Sequence, residues 1–171
     1  ILTMVGSRDY FDKEIDGAYN TTTANRQPGS AFKPIIYALS FEKGYRPDTV
    51  LFDLKTEFNP SCSYDGSQTE SVNGSCYSPT NYSGNFSGPL TVRKALAGSI
   101  NIPAVKMLYL VGIQNALTFS REMGLTTLTD PTRYGLSLVL GGGEVKLIEM
   151  TSLYGIFATN GIKHNTTGIL K

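Results

Sequence analysis

The chain has 171 residues, 40% of them hydrophobic, and a formal net charge of +1. That length suits one domain or a large part of one. The near-neutral balance gives no strong pull toward nucleic acid or an acidic membrane surface, and no apolar run approaches the roughly 18 residues of a membrane span. The chain opens on Ile1 in the run ILTMV and closes on GILK, and both read as cut ends of a longer protein. The lack of a signal-peptide pattern therefore carries little weight.

In chain order, ILTMVGSRDYF reads as a strand with a turn at Gly6 and Ser7. A polar loop, NTTTANRQPG, leads into a helix expected over 30–43, with Gly44 as its stop. Pro34 falls in the first turn of that helix, where the backbone N–H has no intrahelical partner to lose. Ala31, Phe32, Ile35, Ile36, Leu39 and Phe41 cover most of its surface, which marks a buried helix. Ser30, Lys33, Tyr37 and Ser40 follow one another at intervals of three, four and three and form a narrow polar stripe. On a buried helix such a stripe is expected to face a cleft or a polar interior.

From about 49 to 89 the chain is irregular, with a short strand expected near TVLFD. Cys62 and Cys76 flank a Ser/Gly/Asn-rich loop. They are either two free thiols or a disulfide, which would stabilise by about 3 kcal/mol and imply an oxidising compartment. Two cysteines and the distant His164 do not make a metal-ligand set. Asn-x-Ser/Thr sequons stand at Asn20, Asn73, Asn81, Asn85 and Asn165, as chance supplies in a chain this rich in Ser, Thr and Asn.

Thr91 opens a second helix through VRKALAGS, which breaks at 99–102 before Pro103 starts the next helix, PAVKMLYLV. A further helix, QNALTFSREM, ends at Gly124. A turn-rich segment leads through GLSLVLGGGEV to a last helix, EVKLIEMTSLYGIFATN, with Gly161 as its stop. The chain is thus mainly helical, with a strand at its N-terminal edge.

Two segments carry chemistry. Ser30 stands at a helix N-terminus, where free N–H groups and the dipole stabilise a developing oxyanion. Lys33, one turn on, is in reach as its base once desolvation lowers its pKa. The plain alternative is a serine cap followed by a surface lysine, and Ser-x-x-Lys alone is common. In GSINIPAV, Ser99 and Asn101 sit at a helix break that exposes side chains, and Asn101 offers both a donor and an acceptor to a peptide amide. The plain alternative here is a Ser/Asn cap before Pro103.

Together, RQPGSAFKP, PTNYSGNFSGPLTVRKAL, GSINIPAVK, GLSLVLGGGEV and YGIFATNG resemble, in order, the transpeptidase domain of class A penicillin-binding proteins. The resemblance implies an α+β fold of the serine β-lactamase and penicillin-binding transpeptidase type. In these residues, 1–171, it would be present as the N-terminal and helical part, with most of the antiparallel sheet missing. It implies Ser30 as the acylated nucleophile, Lys33 as its general base, Ser99 as a proton relay to the leaving group, and Asn101 as holder of substrate amide and Lys33. The implied substrates are peptidoglycan stem peptides ending in D-Ala-D-Ala, with β-lactams as inhibitors. No metal, cofactor or nucleic acid is implied, and the membrane tether of an extracytoplasmic enzyme is expected outside this chain. The family's third motif, Lys-Ser/Thr-Gly, has no match. NTTG at 165–168 lacks the lysine, so the motif is expected beyond Lys171 and the piece alone is expected to be a poor catalyst. The same Ser-Lys pair would also serve a carboxypeptidase, a β-lactamase or a non-catalytic penicilloyl sensor, but no glutamate stands out to activate a deacylating water. His164, in a polar loop, is expected to face solvent rather than to complete a Ser-His-Asp triad.

Overall fold

The computed structural model describes residues 1–72 and 74–168. The chain forms two compact units, Ser30–Gly112 and, around it in sequence, Ile1–Gly29 with the segment from Ile113 onward.

The Ser30–Gly112 unit is built on helices α1 (Lys33–Glu42), α2 (Val92–Ala97) and α3 (Asn101–Val111). Their apolar faces bury Phe32, Ile35, Ile36, Leu39, Val92, Ala95, Ile102, Val105, Met107 and Leu108. At roughly 1.5–3 kcal/mol for each large side chain fully removed from water, this cluster dominates the stabilisation of the unit. The helical run of α1 begins as a 3₁₀ turn, Gly29–Phe32, and Pro34 lies in the first turn of the α-helix proper. Thr91 caps α2, its hydroxyl accepting from the Lys94 N–H at 3.3 Å. Strand β2 (Val50–Asp53) pairs antiparallel with β5 (Gly88–Thr91), and the two-residue strands β3 (Glu70–Ser71) and β4 (Gly74–Ser75) close a small ribbon. A disulfide joins Cys62 to Cys76 and encloses that ribbon, Cα to Cα 5.8 Å.

In the other unit, β1 (Asn25–Arg26) pairs antiparallel with β6 (Val145–Lys146), and α4 (Ile113–Glu122) and α5 (Leu147–Ala158) supply the helices. Leu117, Leu125, Leu128, Leu138, Val139 and Leu153 form its buried centre. Glu149 of α5 accepts from both the N–H and the hydroxyl of Thr126, at 3.0 and 2.7 Å, which ties the helix to the loop after α4.

Several expectations are corrected. Residues 1–11 form no strand, because a strand exists only by pairing and no described segment pairs with them. Leu2 and Val5 are exposed instead. The third helix starts at Asn101, not at Pro103, since a proline is tolerated throughout a first turn. The last helix starts at Leu147, because Val145 and Lys146 are taken into the pairing with β1. Ala31 and Phe41 are exposed on the first helix. Asn81 is buried and closed to any glycan, and the sequon at Asn73 lies outside the described residues. No single helix among the described residues is long and apolar enough to cross a membrane.

Candidate active site

The approach to α1 depends on two glycines. Gly29 has φ +58, in the left-handed region that favours glycine, and this turns the chain into the 3₁₀ start of the helix. Gly141, itself at φ +93, packs so closely that a Cβ there would lie 2.3 Å from the Gly29 nitrogen. Ser30 follows directly and is exposed, and no described group hydrogen-bonds its hydroxyl.

Lys33 lies one turn further on and is only 1% exposed, on a helical run whose Phe32, Ile35 and Ile36 are also buried. A charged amine in such surroundings must be paired or neutral. Its Nζ donates to the Ser99 carbonyl at 2.5 Å, to Ser99 Oγ at 3.2 Å and to Asn101 Oδ1 at 2.7 Å. All three acceptors are uncharged, so nothing among them offsets desolvation as a carboxylate would. Burial lowers the Lys33 pKa to about 8.

Ser99 reaches the lysine because α2 stops abruptly. Ser99 adopts φ +51, a conformation costing a serine roughly 1–3 kcal/mol, and Ile100 is extended before α3 begins at Asn101. Asn101 Nδ2 donates to the Thr80 carbonyl at 2.9 Å, which fixes the carboxamide with its oxygen toward Lys33. One N–H and one lone pair of that carboxamide remain for a ligand.

The structure thus brings together Lys33, Ser99 and Asn101, with Ser30 one turn before the lysine on the same helical run. Lys33 is not a surface lysine, and among the described residues it forms no ion pair. The rest of the polar stripe does not line the site. Tyr37 and Ser40 are both buried, and the Ser40 hydroxyl donates to the Tyr37 carbonyl of its own helix at 2.7 Å, so it needs no outside partner. Burial pushes the Tyr37 phenol above its usual range. His164 is exposed. NTTG at 165–168 carries no strand. Among the described residues no cluster of His, Cys, Asp or Glu is placed to hold a metal.

The sequence reading does not single out Thr80, whose carbonyl accepts from Asn101, Asn81, whose Oδ1 accepts from the Asn101 N–H, or Asp53, whose carboxylate accepts from Asn81. One signal was available. The period of two in VLFD sets Asp53 on the same buried face as Leu51, and a carboxylate there needs a partner.

The structure thus sets the Ser99-x-Asn101 segment against the lysine of the Ser30-x-x-Lys33 segment. The chain belongs to the penicillin-binding protein transpeptidase domain family, whose model matches residues 1–164. It is 35% identical over 170 residues to penicillin-binding protein 2D of Bacillus subtilis (strain 168), covering 99% of this chain and 22% of that protein. It is 32% identical over 163 residues to penicillin-binding protein 1A of Neisseria lactamica, covering 95% of this chain and 19% of that one. The chain therefore spans about a fifth of the length of these relatives. Among solved structures it resembles penicillin-binding protein 1A from Haemophilus influenzae, with a TM-score of 0.68, 26% identity and coverage of 83% of this chain and 20% of that one. The PonA1 protein from Mycobacterium tuberculosis in complex with penicillin V shares the fold, with a TM-score of 0.67 at 20% identity, covering 85% of this chain and 38% of that one.

Proposed function

We propose that these residues are the N-terminal and helical part of a serine D,D-transpeptidase domain that cross-links peptidoglycan stem peptides through an acyl-enzyme on Ser30. The observation that carries this reading is the buried Lys33 amine, held by Ser99 and Asn101 with no carboxylate among its hydrogen-bond partners and a pKa lowered to about 8. Neutral Lys33 accepts the Ser30 hydroxyl proton as Oγ attacks the carbonyl carbon of the penultimate D-Ala. The C–N bond to the terminal D-Ala then breaks, and Ser99 passes the proton from Lys33 to the departing amine. An acceptor amine attacks the ester in turn, forming the new amide and restoring the Ser30 hydroxyl. Asn101 orients the substrate amide and keeps Lys33 in place. A β-lactam acylates the same serine by opening its ring. The family's Lys-Ser/Thr-Gly segment is absent from these 171 residues and would add carboxylate contacts and a second oxyanion donor, so tests belong in the intact protein. The Cys62–Cys76 disulfide fits an extracytoplasmic setting, with the tether outside these residues.

The test supplies the intact protein with a stem peptide ending in D-Ala-D-Ala and with an acceptor amine. Release of D-Ala together with a cross-linked peptide is the expected result. D-Ala release with only the hydrolysed donor would reassign the protein as a carboxypeptidase. Rapid turnover of penicillin would make it a β-lactamase, and a stable penicilloyl adduct with no peptide consumption would make it a sensor.

A further inference from the structure

Asn81 belongs to the segment PTNYSGN, far in sequence from the residues that define the site, yet its side chain is closely engaged. Asn81 is 6% exposed and Asp53 is wholly buried. Asn81 Nδ2 donates to both carboxylate oxygens of Asp53, at 2.8 and 3.0 Å, and to the Asn85 carbonyl at 2.9 Å. Two hydrogens serving three acceptors fix which way the amide faces. Its oxygen is thereby turned to the start of α3, where Oδ1 accepts from the Asn101 N–H at 3.0 Å and the Ile102 N–H at 3.3 Å. These are the first two donors of the helix, and the local cap residue, Ile100, has no side-chain acceptor for them. Asp53 is held in turn by the Ser87 N–H at 2.7 Å. Lys106 of α3 donates from Nζ to the Phe52 carbonyl at 2.7 Å, and the Asp53 carboxylate acts on its charge.

We propose that Asn81, oriented by the buried Asp53 carboxylate, is a positioning residue for the acylation step. By capping α3 from a distant loop it sets Asn101, and through Asn101 Oδ1 it sets the Lys33 amine. The proposal rests on the transpeptidase reading, in which Lys33 is the base for Ser30. Its physical content is a sequence of donor and acceptor matches from Asp53 through Asn81 and the start of α3 to Lys33. Removing the Asn81 amide strips two helix donors of their acceptor and the carboxylate of its principal side-chain donor. The first residue of α3 is then free to shift, and Asn101 is that residue.

The experiment measures acylation of the intact protein by a fluorescent penicillin across penicillin concentrations, so that the first-order acylation constant and the half-saturating concentration are separated. Asn81→Leu is expected to lower the first-order constant on the order of 100-fold, as small misplacements near a reacting centre do. The half-saturating concentration is expected to stay within about twofold, because the loss lies in the chemical step. Leu117→Ala, a buried substitution on α4, lowers stability without this change and serves as the control for general loosening. Asn81→Asp faces one carboxylate with another and is expected to be slow. The exchange Asn81→Asp with Asp53→Asn restores a donor opposite an acceptor and is expected to recover roughly tenfold over Asn81→Asp alone. This pair remains decisive if Asn81→Leu does not fold. An unchanged first-order constant, a loss confined to half-saturation, or an exchange no faster than Asn81→Asp overturns the proposal. Failure of the wild-type protein to acylate would overturn the transpeptidase reading itself, a result distinct from acylation that ignores Asn81.

Discussion

Replacing Lys33 by methionine is expected to lower the rate of penicillin acylation by about 100- to 10,000-fold, the usual contribution of a positioned general base. Methionine matches the length and apolar stem of lysine, so the core around this 1% exposed position stays filled while the amine is lost. Circular dichroism of the variant checks that the fold survives. The wild-type protein should show a matching pH dependence. On the proposed mechanism Lys33 serves as base only when neutral, and its pKa is lowered to about 8. Roughly one molecule in ten is then in that state at pH 7, against about one in 2,500 at the ordinary lysine value. The acylation rate should therefore climb about tenfold per pH unit below 8 and level off above it, since raising pH deprotonates the amine. A methionine variant that acylates within a few-fold of wild type, or a rate flat between pH 6 and 9, would remove Lys33 from the mechanism.

Opening the Cys62–Cys76 bond is expected to cost about 3 kcal/mol of stability, by the loop-closure estimate for a cross-link of this span. The two cysteines are 14 residues apart. The ribbon they enclose consists of two-residue strands with mostly exposed side chains, so little burial replaces the cross-link. Local order is otherwise supplied by bonds such as Cys76 N–H to the Thr69 carbonyl and Phe58 N–H to the Tyr77 carbonyl, both 3.0 Å. Denaturant unfolding with and without reductant, and of Cys62→Ser with Cys76→Ser, measures the difference. Coincident transitions would show that the loop draws its stability from elsewhere.

The sequence made the helices legible where local chemistry decides them. Thr91 announces α2, and the glycines after α1, α4 and α5 stand at φ +91, +111 and +96. Lys33, Ser99 and Asn101 were legible as a set because they lie in two short segments whose order and spacing resemble a known family. What failed was non-local. The alternation in ILTMV suggests a strand, but a strand needs a partner that pattern alone does not name. The pairing of Asn25 with Lys146 joins residues from opposite ends of the chain. The wheel grouped Tyr37 and Ser40 with Lys33 by angle alone, whereas packing closed both into the core. Asn81 read as a sequon and Asp53 as the last residue of a short strand. Their match of donor to acceptor arises only when β2, the 80–87 segment and the start of α3 converge.

The central claim is that Ser30 is the nucleophile. The direct measurement is mass spectrometry of peptides from the intact protein after brief reaction with penicillin. One tryptic peptide, Gln27 to Lys43 (Pro34 blocks cleavage after Lys33), should gain the mass of the whole penicillin molecule, because ring opening expels no leaving group, and fragmentation should place it on Ser30. Ser30→Ala should show no adduct under the same conditions. An adduct on Ser99 or any other serine, or one that persists in Ser30→Ala, would contradict the account.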